Sequence, residues 1–332
     1  MKIHRLSLLL LIFASAMALA SCQTPYHQQE ERYVLIATNI NLPYWQEAAA
    51  GLQDVSKQMG VKAEIEGPEK LDPQAELTAF KAAMDSRPSG ILVSVAKPEL
   101  FQDAINSAIA VGIPVIAIDA DAPDSKRVLF IGTDNYRAGQ ESAKRMAQIL
   151  QGKGSIALII LPGQQNLEER LRGVTDTLKK FPDVKVVQTI DDNGDPRVAN
   201  DSTSNLLHSK TKIDGIICLE ASGGEGAAEA VHRQDMDGKI AIVAFDKDPE
   251  TLEWIERGVI TATVTQKPYV MAYYGVRFAD DLHHNAVHDF KDWRTAPTPP
   301  LPTWVDTGTA VVDKNNVKTF RDALAAHPKP VL

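Results

Sequence analysis

At 332 residues the chain exceeds the roughly 250 at which single hydrophobic cores stop growing, so two domains are expected. Its 44% hydrophobic and 23% charged residues are ordinary globular composition. A formal net charge of -8 argues against nucleic acid or an anionic membrane surface as the main partner, because both select basic patches.

Residues 1–21 read as a leader. Lys2, His4 and Arg5 precede an apolar run from Leu6 to Leu19, too short to span a bilayer comfortably but right for the hydrophobic region of a signal peptide. The run ends in Leu19-Ala20-Ser21-Cys22, which resembles a bacterial lipobox. That resemblance implies that Cys22 becomes the lipid-modified first residue of an anchored extracytoplasmic protein. Residues 22–32, polar and aperiodic, are expected to form a flexible tether, with the fold starting at Tyr33. With Cys22 lipidated, Cys218 has no disulfide partner and is expected to be a buried packing residue.

From Tyr33 onward uninterrupted apolar runs alternate with helical patterns. Expected strands at 33–38, 62–67, 89–96, 114–119 and 127–135 enclose helices opened by Pro43, Pro73 and Pro98, and a helix at 136–150 follows. The pattern then restarts with strands at 155–161, 184–191, 213–220, 239–246 and 260–266. Between them lie helices at 167–180, 196–209 and 226–234; a helix at 269–283, a proline-dense stretch at 295–302 and a last strand at 306–313 complete the chain. Continuous apolar strands joined by helices imply α/β lobes with parallel sheets covered on both faces, and such sheets bind ligands beyond the carboxyl ends of their strands.

The two halves echo each other at those ends. PVIAIDADAP at 114–123 and KIAIVAFDKDP at 239–249 each close an apolar strand with an aspartate, Asp119 and Asp246. Both are candidates for holding a ligand.

With Asn41-Leu-Pro-Tyr-Trp45, Ile118-Asp119, Ile131-Gly-Thr-Asp-Asn135, Arg170 to Gly173, Phe245-Asp246 and Thr263-Val-Thr-Gln266, the chain resembles the type I periplasmic sugar-binding proteins, the ribose- and galactose-like receptors of ABC transporters. The resemblance covers most of residues 33–325. It implies two similar doubly wound lobes joined by a multi-strand hinge, with discontinuous domains: 33–134 plus 267–296, and 135–266 plus 297–332. Crossings are expected near 134–136, 265–267 and 297–302. It also implies ABC permease and ATPase subunits as partners, a monomer, no cofactor and no catalysis; a receptor of the same fold that signals through a membrane sensor is the alternative. Ribose receptors carry Arg after the first strand-end Asp and Asn and Asp near the third strand of the second lobe. Here Ala120 and Glu220-Ala221-Ser222 stand in those places, so the expected ligand is left as a small neutral sugar or cyclic polyol.

Sugar sites combine aromatic faces with charged groups that take pairs of hydroxyls. Tyr44 and Trp45 supply the first, Asp119 and Asp246 the second, and Arg170 matches the family's sugar-contacting arginine. Gln266, Asn41 and Glu220, with Asn39 and Asn193, are further candidates at the same edge. The Gly223-Gly-Glu-Gly226 stretch reads as a loop but not as a phosphate cradle, because Glu229 takes the third glycine's place and Glu225 would repel phosphate. His284 and His288 share a helical face without further ligands, so no metal is expected.

Overall fold

Two six-stranded sheets organise the chain in a computed structural model that describes residues 26–287 and 290–325. The leader, Cys22 and His288 lie outside the described residues. In the first lobe β1 (Arg32–Ile36), α1 (Pro43–Met59), β2 (Lys62–Glu66), α2 (Pro73–Asp85), β3 (Gly90–Val93), α3 (Pro98–Ala110), β4 (Val115–Ile118) and β5 (Leu129–Gly132) alternate as the patterning requires. The chain then enters the second lobe through α4 (Asn135–Ile149). There β6 (Gly154–Ile160), α5 (Gln165–Leu178), β7 (Val184–Asp191), α6 (Pro196–His208), β8 (Gly215–Cys218), α7 (Ala221–Arg233), β9 (Ala241–Phe245), α8 (Pro249–Arg257) and β10 (Ala262–Thr265) follow. It returns through α9 (Pro268–His283) and ends with β11 (Trp304–Asp306), β12 (Ala310–Asp313) and α10 (Val317–Ala325). α8 and α10 have no counterpart among the expected helices.

The strand orders are β11-β5-β4-β3-β1-β2 and β12-β10-β9-β8-β6-β7. Position by position the lobes match: β1 and β6 each sit between the second and third strands of their lobe, the point where a doubly wound sheet reverses direction and opens a crevice. β11 runs parallel to β5 and β12 antiparallel to β10. The central strands are buried on both faces, which is why they read as unbroken Val, Ile, Leu and Ala runs. Cys218 is free and lies in the core of the second lobe.

Local signals set the helix starts. Proline opens α1, α2, α3, α6, α8 and α9, where a missing N–H costs nothing. Asp72 accepts from the Gln74 and Ala75 amides at 3.0 Å, capping α2.

Three expectations are corrected. The proline-dense stretch leads into β11, which pairs with β5 of the first sheet, so the third crossing is Thr307 to Thr309 rather than 297–302, and the first lobe takes residues through 306. There Thr307 donates its amide to the Gly132 carbonyl at 2.8 Å and Asp306 Oδ1 accepts from the Asp134 amide at 3.1 Å, so two crossings are laced together. Gly308, at φ +71°, supplies the left-handed turn. Second, the last stretch of the expected tether is docked: Tyr26 stacks on His284 just beyond α9, and His27 Nε2 lies 3.1 Å from Asp280 Oδ2 of that helix. Third, Gly223 to Gly226 lie inside α7, not in a loop. Glu220 caps that helix, which begins at Ala221, five residues before the expected start, and a Cβ on Gly226 would sit 2.2 Å from the Pro196 carbonyl of α6, so glycine there serves close helix packing.

Candidate ligand-binding cleft

β4 and β9 both end on an aspartate in left-handed backbone, Asp119 at φ +62° and Asp246 at φ +69°. Each keeps its own amide in the sheet, Asp119 bonding the Ile131 carbonyl at 3.2 Å and Asp246 the Val264 carbonyl at 2.9 Å. The turn therefore happens at the carboxylate, and in both lobes the side chain lines the crevice where the lobes face each other. Asp is one of the few side chains that tolerates this conformation.

The cleft is a small cavity of about 90 Å³ lined by residues from both lobes. From the first come Thr38, Asn39, Leu42, Tyr44, Trp45, Leu71 and Asp119, and from the second Arg170, Glu220, Asp246 and their neighbours, with Gln266 at the second crossing. Tyr44 and Trp45 start α1 and meet edge to face, ring centres 5.1 Å apart. Both adjacent aromatics therefore reach the cleft, although neighbouring helical residues normally diverge. The Tyr44 hydroxyl donates to Asp119 Oδ1 at 2.7 Å, and Ser94 donates to Oδ2 at 3.1 Å. On Asp246, Gln266 donates to Oδ1 at 3.0 Å, while Gln266 Oε1 is buried without a partner among the described residues. Burial pushes the Asp246 carboxyl up to about 6, against the pull of Arg170 and Gln266. Asp119 is likewise raised by burial and held back by Tyr44 and Arg170.

Arg170, on α5, is 1% exposed. Its Nε and Nη2 donate to Asn135 Oδ1 at 3.1 and 2.6 Å, Nη1 donates to the Leu219 carbonyl, and the guanidinium stacks 4.0 Å over the Phe245 ring. Burial lowers its pKa and the facing carboxylates raise it. Among the described residues it forms a salt bridge with neither Asp119 nor Asp246, so a buried cation faces two buried carboxylates across the cavity. Two of its five donors remain for a ligand.

Glu220 also lines the cleft, but its oxygens accept from the Ser222 and Gly223 amides at 2.8 and 2.6 Å, capping α7. It stands beside Asp192, whose carboxyl is raised to about 9 by burial first and then by the neighbouring Glu220. Asn41 is exposed and bonds the Glu69 carbonyl at 3.1 Å, outside the cleft; Asn193 is exposed as well, whereas Asn39 lines it. Asn135, Asn166 and Gln164 were not anticipated as part of the cleft and its support. The repeat held a signal for Asn166: it stands in the first turn of the helix that follows the second lobe's first strand, as Tyr44 does in the first lobe. A wider cavity of about 390 Å³ lies on the outer side of α5, lined by Ile160, Pro162, Leu171 and Thr175 among others; it lacks the convergent buried charges and is not the candidate site.

Residues 33–285 match the family described as the periplasmic binding protein domain. The chain belongs to this family. Periplasmic binding proteins of this kind bind their ligands and are not enzymes. The D-allose-binding periplasmic protein of Escherichia coli is 27% identical over 259 residues, 75% of this chain and 83% of that protein. The sugar-binding protein of a sugar ABC transporter from Bacillus halodurans is 34% identical with a TM-score of 0.78, covering 88% of this chain and 100% of that one. The XylFII–LytSN complex includes a chain 29% identical with a TM-score of 0.77, over 87% of this chain and 99% of that one. The two-lobed α/β architecture with parallel-dominated sheets is shared with these periplasmic binding proteins.

Proposed function

We propose that the protein is a lipid-anchored extracytoplasmic receptor that closes its lobes on a small neutral sugar or cyclic polyol and delivers it, as a monomer, to the permease and ATPase of an ABC importer. The observation that carries the ligand class is the facing of Asp119 and Asp246 across a cavity from Arg170, beside the Tyr44–Trp45 pair. Carboxylates in a dry site accept from neighbouring hydroxyls, the guanidinium donates in a fixed fork, and the rings cover the apolar face of a sugar. Two carboxylates against one buried cation disfavour an anionic ligand.

A thermal-shift screen over pentoses, hexoses and inositols, on wild type and Asp246→Ala, tests this. One of these raises the melting temperature of the wild type, and Asp246→Ala weakens its binding by about thirty- to a thousandfold, on the order of 2 to 4 kcal/mol. Stabilisation by amino acids or peptides instead, or unchanged binding by the variant, overturns the reading. The anchor rests on Cys22 in LASC; Cys22→Ser is expected to release the protein from the membrane fraction. The likeness to the chain seen with LytSN supports a second role, in which the closed form docks on a signalling partner rather than a permease. Pull-down of membrane proteins with and without ligand distinguishes the two.

A further inference from the structure

At the amino ends of the first lobe's strands, on the edge opposite the cleft, four side chains from two segments converge. His27 and Glu31 come from the stretch before β1, Asp280 from the last turn of α9, and His284 from just beyond it; one ligand atom of each lies within 4.8 Å of all the others. His27 Nε2 is 3.1 Å from Asp280 Oδ2, His284 Nε2 is 3.1 Å from Glu31 Oε2, and His284 Nε2 is 3.5 Å from Asp280 Oδ1. The edge of a tetrahedron built on metal–ligand distances of about 2.0 to 2.2 Å is roughly 3.3 to 3.6 Å, so the two 3.1 Å contacts are slightly tighter than that edge and a small outward shift of the side chains would admit the metal.

We propose that His27, Glu31, Asp280 and His284 form a binding site for a first-row transition dication, with zinc as the metal the donor set suits.

Both imidazoles approach through the same nitrogen, Nε2. Each carboxylate is oriented from behind as metal-ligating carboxylates are: Tyr33 donates to Asp280 Oδ1 at 2.6 Å and the Gln28 amide to Glu31 Oε1 at 2.9 Å. Glu31 and Asp280 are only 6% and 5% exposed, and among the described residues no lysine or arginine pairs with either. Tyr26 stacks on His284 at 4.5 Å and meets His27 edge to face at 4.7 Å, fixing both rings. Two nitrogens and two oxygens suit zinc, nickel or copper rather than calcium or magnesium, which take oxygen ligands. Because two ligands precede β1 and two close α9, the metal would staple the start of the fold to the lobe. It would do so without touching the cleft.

The test uses the protein with any affinity tag removed and stripped with EDTA. Calorimetric titration with zinc chloride is expected to show one equivalent bound, and cobalt chloride to give the intense visible absorption of a tetrahedral centre. His27→Ala and His284→Ala each weaken zinc binding by about a hundredfold or more while leaving circular dichroism unchanged. His27 lies at the edge of the fold, so its variant reads the site rather than folding. Backbone amides of residues 27–31 exchange more slowly with zinc present, and calcium does not replace it. Absence of stoichiometric zinc, or full affinity in the double variant His27→Ala/His284→Ala, overturns the proposal.

Discussion

Asp246 carries its carboxylate in a backbone conformation that favours glycine, and it does so where burial holds its pKa near 6. A carboxylate that accepts from ligand hydroxyls must be ionised, so affinity is greatest above that pH and falls as pH drops through about 6, approaching tenfold per unit below it. Asp246→Asn is expected to bind more weakly but without this step; titrations between about pH 7.5 and 4.5 check it, and a flat wild-type profile contradicts it. The strand-end aspartates were legible because each closes an apolar run at matching places in the two halves, whereas Arg170 was legible only through the family resemblance, on which the aromatic pair also leaned; the structure places these residues, with Gln266, around the cleft. Asn41 was not separable from Asn39, since no periodicity fixes the path of a loop. Glu220 was ambiguous because a helix cap and a ligand contact ask for the same residue at the same place. The His27–Glu31–Asp280–His284 cluster was invisible, its ligands being 253 positions apart in the chain.

The pair α4 and α5 positions Arg170 through two reciprocal glycines. A Cβ on Gly139 would lie 2.0 Å from the Arg170 carbonyl, and one on Gly173 would lie 2.1 Å from the Tyr136 carbonyl. Gly139→Ala must therefore push α5 outward and move the buried guanidinium with it. The expected result is a loss of ligand affinity of about tenfold or more, on the order of 1 to 3 kcal/mol, together with a lower melting temperature, from a residue that does not line the cleft. Unchanged affinity measured by calorimetry would show that the helix can shift without carrying Arg170. The starts of α1, α2, α3 and α6 were readable in the sequence, since proline fixes φ and lacks the donor, whereas α8 was missed although Pro249 opens it. α7 was misplaced because its glycines look like a loop and act as packing surface, a distinction that depends on the facing carbonyl of α6.

At the scale of the whole molecule, Lys247, next to the strand-end Asp246, forms an ion pair from the second lobe to Glu47 on α1 of the first at 2.7 Å and donates to the Gln266 carbonyl at 2.7 Å. This contact exists only while the lobes are together, so it favours the closed form. Glu47→Gln is expected to shift the population toward open, raising the radius of gyration seen by small-angle scattering and weakening ligand binding by a few-fold, about 1 kcal/mol. Ligand added to saturation should restore the compact form. If wild type and variant scatter identically with and without ligand, the pair is not a latch and closure is not coupled to binding.

The repeated α/β architecture was readable from the alternating patterns, whereas the route of the tail was not, because short strands after prolines can join either sheet edge. That route governs the order in which the chain can fold. The first lobe's sheet is covered by α9, whose Met271, Ala272, Val276 and Ala279 are buried against strands made well over a hundred residues earlier, and its edge is closed last by β11. The second lobe has β6 to β10 and their helices in one uninterrupted stretch. As the chain emerges, the first hundred residues therefore wait with one apolar face unprotected while the middle of the chain acquires most of its partners locally, and the part synthesised first is among the last to be completed.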